Sequence, residues 1–354
     1  MICDFSLAVV NRTGAFYLSQ DIATECAAHF SEIRYWRFPR DRIPEGVIRK
    51  LGARLMGLEY RILKNQPFGR MRSGGRKTLF LDPLYVLRAE FKPQDVVLCH
   101  DVGPITHSQF FPPDVSNLYR LAYTEICSMK PGMVFVSGTS RREFAALYGE
   151  DFRFMEVIPL YPRGIKTSSG RKPAVLGDRP FLLSVGATEI RKNYIRLIEA
   201  YSSSSVVNDF DLVICGPAGN GRAEVEAKAE KCPRVRLLGR VPDDELAWLY
   251  ANASGFVSPS LLEGFGMPVI EAAYYQVPAL VSRGSAQEEA IAGHAILVDC
   301  MDVDSIRNGL EQLQHLTAPE RREMTAAARA HAQSLTRERF LTHWRELLSR
   351  EAAS

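Results

Sequence analysis

The sequence predicts an α/β protein with parallel sheets. Short apolar runs alternate with helix-type patterns along the 354 residues, which is the rhythm of strand–helix–strand units. Several runs are apolar at nearly every position, as is typical of strands buried on both faces of a parallel sheet. The chain is also too long for one ordinary core, which favours two domains of roughly 150 residues or more.

The pattern predicts eight strands with helices between them. The strands are expected at residues 5–10, 96–99, 133–136, 181–185, 212–215, 235–238, 255–258 and 279–281. One helix is expected to begin at Ser140, because Ser140 and Glu143 have the spacing of a capping box. Another is expected over residues 193–201.

A polar stretch at residues 162–180, rich in glycine, proline, serine and basic residues, indicates a linker. We therefore predict a first domain at residues 1–170, a second at 171–335 and a final helix at 336–354. Two α/β units joined in this way leave a cleft between them. Ligands of open parallel sheets lie beyond the carboxyl ends of the strands.

The composition indicates a soluble globular protein that does not bind nucleic acid. Hydrophobic residues make up 46% and charged residues 24%, and the formal net charge is only +3. The seven cysteines form neither a CxxC pair nor a ligand cluster, which favours reduced, buried thiols and a cytosolic location. An acid at position 4 argues against a signal peptide, and no window reaches the roughly 18 apolar residues of a membrane span.

Positive charge is concentrated in residues 48–77, which contain nine basic residues and one acid, Glu59. Apolar residues recur there at spacings of three and four from Ile48 to Ile62, which predicts an amphipathic helix with a cationic face. That face would lie on anionic lipid or face phosphates. Alternatively, the helix packs on its own domain and the basic face is only solvated. The cations concerned are Arg49, Lys50, Arg54, Arg61 and Lys64.

Two carboxylates flank a glycine-rich turn, EGFGMP, in the second predicted domain. Glu263 follows the strand at 255–258, and Glu271 lies just inside a helix that begins near Pro268. Such a turn places bare backbone N–H groups and the positive end of a helix dipole beside a ligand. The apolar flanks imply burial, and buried carboxylates require partners. The pattern indicates a site for a phosphorylated sugar, the alternative being two solvated glutamates.

Two turns after predicted strands offer contacts to phosphate. Gly186 ends the strand at 181–185, and Arg191 and Lys192 precede the next helix, where cations suit a diphosphate. The alternative is a solvated basic turn. Gly14 follows the first predicted strand and precedes a helix, which fits close approach to a phosphate. The full G-x-G-x-x-G motif is absent, which argues against a dinucleotide oxidoreductase.

His100 and Asp101 lie directly after the predicted strand at 96–99, at the edge of the expected cleft. The histidine is either functional or a structural residue held by Asp101, and both can hold, since an acid orients an imidazole. D-x-D sequences occur at residues 209–211 and 302–304. We interpret them as a strand entry and a helix cap rather than as metal sites.

Residues 181–282 resemble the retaining glycosyltransferases of family 4. Four segments carry the resemblance: the VG…RKN turn, LVICGPAG, LLGRVPDDELAWLYANA, and SPSLLEGFGMPVIEA with an E-x7-E motif. The resemblance implies the GT-B fold, in which two Rossmann-like domains have parallel sheets that face each other across a cleft. It also implies that the helix at 336–354 packs back on the first domain. Within the family, the chain is similar to bacterial mannosyltransferases of exopolysaccharide or O-antigen assembly.

The resemblance assigns roles to residues of both domains. Glu263 would contact donor-sugar hydroxyls, Lys192 with Arg191 would neutralise the leaving diphosphate, and His100 would line the sugar pocket. Glu271 would bind the ribose, and the base would lie near Val241. The donor contacts implied are Glu271, Gly14, Gly186, Val241, Gly264, Phe265 and Gly266. The chain departs from the family where Ala187 replaces a frequent arginine and where Gln276 replaces a frequent glycine.

The resemblance favours front-face attack by the acceptor hydroxyl, with no metal or other cofactor required. The expected donor is GDP-mannose, or secondly a UDP-hexose. The expected acceptor is a polyprenyl-diphosphate-linked saccharide at an anionic membrane surface, which places the protein on the inner face of the cell membrane. Two other functions remain open, a GT-B nucleotide-sugar epimerase and a sugar-nucleotide-binding module without turnover.

Overall fold

Two sheets of mainly parallel strands form the framework of the structure, a computed structural model that describes residues 1–10, 14–39, 43–62, 70–163 and 170–353. Each sheet belongs to its own compact unit. The first unit contains Met1–Leu160 and Arg337–Ser354, and the second contains Tyr161–Thr336. The second unit thus begins ahead of the expected boundary near residue 170, and the last helix belongs to the first unit.

Thirteen strands occur in the described residues. They are β1 (Ile2–Asp4), β2 (Glu32–Tyr35), β3 (Phe38–Pro39), β4 (Thr78–Phe80), β5 (Val96–Cys99), β6 (Gly132–Phe135), β7 (Phe154–Val157), β8 (Phe181–Val185), β9 (Asp211–Cys215), β10 (Val235–Gly239), β11 (Gly255–Ser258), β12 (Ala279–Ser282) and β13 (Ile296–Val298).

Fourteen α-helices occur in the same residues. They are α1 (Leu7–Val10), α2 (Gly14–Glu25), α3 (Gly46–Ile62), α4 (Gly103–Thr106), α5 (Pro113–Met129), α6 (Gly138–Tyr148), α7 (Tyr194–Ser202), α8 (Arg222–Ala229), α9 (Asp243–Asn252), α10 (Met267–Tyr274), α11 (Ala286–Ala290), α12 (Val303–His315), α13 (Ala318–Ser334) and α14 (Arg337–Ala353).

Both sheets have doubly wound topology. The first has the order β3-β2-β1-β4-β5-β6-β7, and the second has the order β10-β9-β8-β11-β12-β13. All pairings are parallel except that of the short edge strand β3 with β2. In each sheet the strand order reverses once, between β1 and β4 in the first and between β8 and β11 in the second, and such a switch point is where ligands bind in open α/β sheets.

The prediction of one strand over residues 5–10 is wrong. The first strand ends at Asp4, whose carboxylate accepts a hydrogen bond from the backbone N–H of Ser6 at 3.0 Å, and α1 follows. A short apolar run has the same pattern in a buried helix as in a buried strand, so periodicity could not separate the two. Gly14 therefore does not follow β1; it lies at the described start of α2, after residues outside the described range.

The expected helix start at Ser140 is also wrong by one turn. Ser137 is the cap of α6, and its hydroxyl accepts a hydrogen bond from the backbone N–H of Ser140 at 3.0 Å. The Ser140 hydroxyl instead donates to the backbone oxygen of His100 at 3.1 Å. The helix expected over 193–201 occurs as α7, with Asn193 as its cap.

Helix α3 does not pack on its own unit through the apolar stripe, as the alternative of a merely solvated basic face required. The apolar stripe is exposed: Ile48 is 44%, Leu51 is 55% and Leu58 is 51% accessible to solvent. The buried side of the helix contains Gly52 and Met56, because a glycine allows the helix to approach its own unit closely. The apolar stripe and the cations thus share the outer surface. Lys64 lies outside the described residues, and the Arg61 side chain is not described.

The final helix, α14, packs within the first unit. Phe340, Trp344, Leu347 and Leu348 are all buried, and Arg337 pairs with the carboxylates of Asp21 and Glu25 near the end of α2. A second ion pair joins α14 to the rest of the unit, since Arg153 lies 2.6 Å from the buried carboxylate of Glu351.

Candidate functional site

The switch point of the second sheet brings together two chain segments that the sequence pattern singled out. The segment after β8 contains Arg191 and Lys192 in a 3₁₀ turn, and the segment after β11 contains Glu263. The turns are held against each other by a backbone hydrogen bond of 2.8 Å from the N–H of Leu261 to the carbonyl of Arg191. Asn193 adds a side-chain hydrogen bond of 2.9 Å to the Pro259 carbonyl.

Glycines at two strand ends make room for this arrangement. A Cβ atom at Gly186 would lie 2.8 Å from Cε of Lys192, so the glycine lets the lysine side chain cross the end of β8. A Cβ atom at Gly216 would lie 2.1 Å from the backbone oxygen of Gly186, so the ends of β8 and β9 could not meet with a larger residue there. Both glycines therefore shape the backbone around Lys192.

Glu263 forms the centre of a buried ion-pair cluster. Its carboxylate accepts hydrogen bonds from Lys192 Nζ at 2.5 Å, from Arg191 Nη1 at 3.0 Å and from Ser260 Oγ at 2.9 Å. Lys192 is only 6% exposed, which is rare for a lysine and requires the paired charge that it has here. Arg191 also donates to a Glu189 carboxylate oxygen at 2.6 Å.

The cluster holds Glu263 in its ionised form. Burial alone would raise the pKa of this carboxyl group, but the charges of Lys192 and Arg191 and their hydrogen bonds outweigh it, so the pKa lies below its usual value. Two cations and two carboxylates, Glu263 and Glu189, balance each other. An anion bound here would therefore compete with these carboxylates for the same cations.

Helix α10 begins directly after the glycine-rich turn. Gly266 is the cap and has a φ of 108°, a left-handed value that favours glycine. Within the described part of the chain, the backbone N–H groups of Phe265 and Gly266 make no hydrogen bond to protein. These donors and the helix dipole are available to a ligand.

Glu271 lies on α10 and has a separate environment. One of its carboxylate oxygens accepts a hydrogen bond from the buried Tyr250 hydroxyl at 2.8 Å. Burial raises the pKa of Glu271 to about 7, the Tyr250 hydrogen bond opposes that rise, and the charge of Asp243 adds to it. Tyr250 is fixed by stacking on Tyr275, with ring centroids 5.7 Å apart. Glu271 is thus poised to change its charge near neutral pH.

The remaining predicted donor residues are distributed over both units. Gly264 lies in the turn before α10, and Val241 is half-buried in the turn after β10. Gly14 and His100 belong to the first unit, at the start of α2 and directly after β5. The structure therefore brings together Gly186, Arg191, Lys192 and Glu263 within one unit, while the grouping of His100 and Gly14 with them stays a prediction.

His100 is not held by Asp101, as the sequence suggested. Its Nε2 lies 3.2 Å from the backbone oxygen of Leu81, and Asp101 instead accepts the backbone N–H of Gly103 at 2.8 Å. Asp101 was unavailable because the start of α4 has donors that need an acceptor. Asp82 is an acid close to both residues; burial raises its pKa, and it accepts hydrogen bonds from the Tyr119 hydroxyl at 3.1 and 3.0 Å.

Sequence reasoning missed three residues that organise these sites. Ser260 precedes Glu263 by three positions, a spacing that allows contact across a turn, so it could have been found. Tyr250 on α9 and Asp82 after β4 had no sequence signal, because their partners are distant in the chain.

The D-x-D sequences have structural roles. Asp209 accepts a hydrogen bond from Gln314, Asp211 pairs with surrounding arginines such as Arg179, and Asp302 caps α12 by accepting the backbone N–H of Asp304. Among the residues that the structure describes, no cluster of three or more His, Cys, Asp or Glu side chains is suited to hold a metal ion. No helix in those residues is long and apolar enough to cross a bilayer.

Comparison with known proteins finds a family model that matches most of the second unit. Residues 166–331 match the family model "Glycosyl transferases group 1". This match covers less than half of the chain and lies within the second unit. The matched residues contain the Lys192–Glu263 cluster, the glycine-rich turn and Glu271.

Two relatives and one solved structure extend the comparison. O-antigen chain mannosyltransferase B of Escherichia coli is 28% identical over 68% of this chain and 65% of the relative. O-antigen chain mannosyltransferase RfbU of Salmonella typhimurium is 26% identical over 62% of this chain and 61% of the relative. The alignments thus span less than two thirds of these relatives' lengths.

Sucrose-phosphate synthase from Thermosynechococcus elongatus superposes on the whole chain. The TM-score is 0.73 at 16% identity, with 100% of this chain and 99% of that chain covered. This likeness, together with the two doubly wound sheets, shows the GT-B fold.

Proposed function

We propose that this protein is a retaining glycosyltransferase of bacterial polysaccharide biosynthesis, which moves a hexose from a nucleotide sugar to a lipid-linked or saccharide acceptor. The observation that carries this proposal is the buried Lys192–Glu263–Arg191 cluster at the switch point of a glycosyltransferase group 1 domain. Mannose from GDP-mannose is the first choice of donor, because two similar relatives are named O-antigen chain mannosyltransferases.

Glu263 would recognise the donor sugar. A carboxylate offers about four acceptor sites, and protein groups occupy three of them here, from Lys192, Arg191 and Ser260. Acceptor capacity for a sugar hydroxyl remains, and its ionised state strengthens that hydrogen bond. The N–H groups of Phe265 and Gly266 would add donors at the start of α10.

Lys192 and Arg191 would stabilise the leaving diphosphate. In front-face transfer, the bond from the anomeric carbon to the phosphate oxygen breaks as the bond to the acceptor oxygen forms on the same side. The acceptor proton passes to a diphosphate oxygen, so no protein carboxylate need act as a nucleophile. The two cations would shift part of their pairing from Glu263 and Glu189 to the developing charge, a stabilisation that needs no divalent metal.

Glu271 would bind the ribose hydroxyls of the nucleotide. Tyr250 occupies one carboxylate oxygen, which leaves acceptor sites for the two hydroxyls of a ribose. Hydroxyl donors favour the ionised carboxylate, so nucleotide binding would lower the pKa of Glu271 below about 7.

The outer face of α3 supports a membrane-bound acceptor. Apolar Leu51 and Leu55 are exposed beside Lys50 and Arg54, and neither cation forms an ion pair with any residue that the structure describes. Apolar side chains next to free cations are typical of a helix on an anionic lipid surface. We therefore propose peripheral binding at the inner face of the cell membrane and a polyprenyl-diphosphate-linked saccharide as acceptor.

Product analysis with radiolabelled donors tests the proposal. The protein is first screened for a raised melting temperature with GDP, UDP, ADP and their hexose conjugates, since a ligand that binds only the native state stabilises it. The preferred donor is then incubated with lipid extract. Label in the lipid fraction supports the transferase. An isomerised nucleotide sugar would indicate an epimerase, and binding without turnover would indicate a sugar-nucleotide-binding module.

A further inference from the structure

The first unit contains a cavity that none of the proposed donor residues line. Its volume is about 830 Å³, within the range of small-molecule sites, which is roughly 300–1,000 Å³. Helix α3 contributes Met56 and Gly57 to one wall, α5 contributes Leu118 and Leu121 to another, and Leu84 lies in the turn after β4.

The cavity lies at the switch point of the first sheet. Its remaining apolar lining includes Val10, at the end of the helix that follows β1, and Tyr85, in the turn that follows β4. The strand order reverses between β1 and β4, and the crevice at such a reversal is where open α/β sheets bind ligands. Its position therefore points to a ligand rather than to a packing defect.

The buried part of the lining favours an apolar occupant. Met56 and Tyr85 form its buried part, each 2% exposed, while the polar lining residues Asp114, Asn117 and Arg120 are all exposed. A saccharide buried here would leave hydroxyl groups without enough partners, which costs free energy. A hydrocarbon chain has no such requirement, and its burial is favourable.

The surroundings suit an anionic lipid. The cavity opens beside cations of α3, because the lining residues Ala53 and Gly57 lie three positions after Lys50 and Arg54, and residues three apart are neighbours on a helix surface. Lys50 and Arg54 are exposed on the same helix, and Arg49 donates to the backbone oxygen of Val9 at 3.3 Å, next to the lining residue Val10. These cations are complementary to the phosphates of a lipid head group.

We propose that this cavity binds the hydrocarbon tail of the lipid-linked acceptor, which rests on the proposed transferase function. The tail would enter beside Lys50 and Arg54 of α3, with its phosphates near these cations. Binding of the tail would hold the acceptor on the first unit, independently of the donor residues of the second.

Calorimetric titration with farnesyl diphosphate tests the proposal, with inorganic pyrophosphate as the probe for the head group alone. Gly57→Phe fills the cavity, because a Cβ atom at Gly57 meets no atom within 4 Å and the residue has no left-handed φ. Gly57→Ala is the matched control, since it makes the same backbone change without filling the space. Loss of burial for two methylene groups corresponds to about tenfold weaker binding.

The expected result is that farnesyl diphosphate binds more tightly than pyrophosphate, and that Gly57→Phe weakens it about tenfold or more while Gly57→Ala does not. Equal affinity for the two probes, or wild-type affinity in folded Gly57→Phe, would overturn the proposal. Nucleoside diphosphate binding is measured in the same proteins. If the wild type does not bind nucleoside diphosphate, the transferase function is contradicted. If it binds nucleoside diphosphate but Gly57→Phe leaves farnesyl diphosphate binding unchanged, only the tail site is contradicted.

Discussion

Glu263 owes its ionised state to opposing effects at one carboxyl group. Burial disfavours the charge, and two cations and a hydroxyl restore it. A buried ion pair costs desolvation free energy and adds little to stability compared with apolar packing. The position of this cluster at a strand end is therefore better explained by ligand binding.

Removing Lys192 should affect turnover far more than any surface charge. Lys192→Ala is expected to lower kcat about 100-fold or more, because an electrostatic contact to the leaving diphosphate is lost. Lys172→Ala, which removes a half-buried lysine paired with Asp178, is the matched control and should stay near the wild-type rate. Initial rates of donor consumption measure both. A folded Lys192→Ala protein with near-normal turnover would remove the site assignment.

Glu271 makes a pH-dependent contribution to stability. Its pKa is about 7 in the folded protein and lower in the unfolded chain, so the folded state binds the proton more tightly between about pH 4.5 and 7. This contribution is present below that window and is lost as the pH rises through about 7. The stability of the wild type should therefore fall relative to Glu271→Gln across this range, by roughly 3 kcal/mol.

Melting temperatures of both proteins at about pH 5 and pH 8 check this. Asp4 and Asp95 also have raised pKa values of about 6, but they are present in both proteins and cancel. An unchanged difference between wild type and Glu271→Gln at the two pH values would contradict the ionisation of Glu271 near neutrality.

The sequence could predict which charges follow which strands, but not their partners. Glu263, Arg191 and Lys192 were found because parallel strands end at the same sheet edge. The prediction that Asp101 holds His100 was wrong, because backbone N–H groups compete with neighbouring side chains for a carboxylate. Here the backbone N–H of Gly103 donates to Asp101. Gln276, which replaces a frequent glycine, has a left-handed φ of 60° such as glycine adopts. Helix α10 therefore still ends before this residue.

At the element scale, α3 and α5 enclose a cavity while the opposite face of α3 is apolar and exposed. Periodicity identified the helix and its stripe but could not say which face packs, because Gly52 and Met56 read as a weaker apolar face. The error over residues 5–10 has the same origin, since a short run has too few residues to fix its period.

Charge reversal on α3 should weaken membrane binding. Lys50→Glu/Arg54→Glu is expected to lower partitioning onto vesicles of phosphatidylglycerol and phosphatidylcholine at least about tenfold, because each cation near an anionic surface contributes about 1 kcal/mol. Lys231→Glu/Arg240→Glu makes the same charge change on exposed residues of the second unit. Vesicle sedimentation measures both. Equal loss in the two proteins, or none in the first, would mean that α3 does not contact lipid.

Helix α14 should be a major contributor to the stability of the first unit. Trp344 is 1% exposed and packs edge-on against Phe340, with centroids 6.4 Å apart. Trp344→Ala is expected to cost about 3–5 kcal/mol of unfolding free energy, because it leaves a cavity. Leu147→Ala, at an exposed position of the same unit, should cost far less. Thermal unfolding of both proteins checks this, and equal losses would show that α14 is only loosely docked.

At the scale of the whole molecule, the two doubly wound sheets have chemically different switch points. The crevice of the second has a buried ion-pair cluster, and that of the first has an apolar cavity. The proposed donor is charged and would suit the second crevice, whereas the proposed acceptor is amphiphilic and would suit the first. The sequence could predict both sheets from their apolar strands, but the cavity depends on the packing of distant helices and had no sequence pattern.

Activity should survive the removal of divalent metal ions. In the proposed mechanism, Lys192 and Arg191 carry the charge stabilisation that a metal would otherwise supply at the diphosphate. Transfer rates after EDTA treatment should therefore equal those of untreated protein. A rate that falls to background and returns only with added Mg²⁺ would contradict this mechanism.

The most direct test of the central claim is a crystal structure with the preferred nucleotide sugar bound. The account predicts that Glu263 contacts a hydroxyl of the sugar, that Glu271 contacts the ribose, and that Lys192 lies within hydrogen-bond distance of the diphosphate. A bound donor remote from Glu263 and Lys192, with their ion pair intact, would contradict the account.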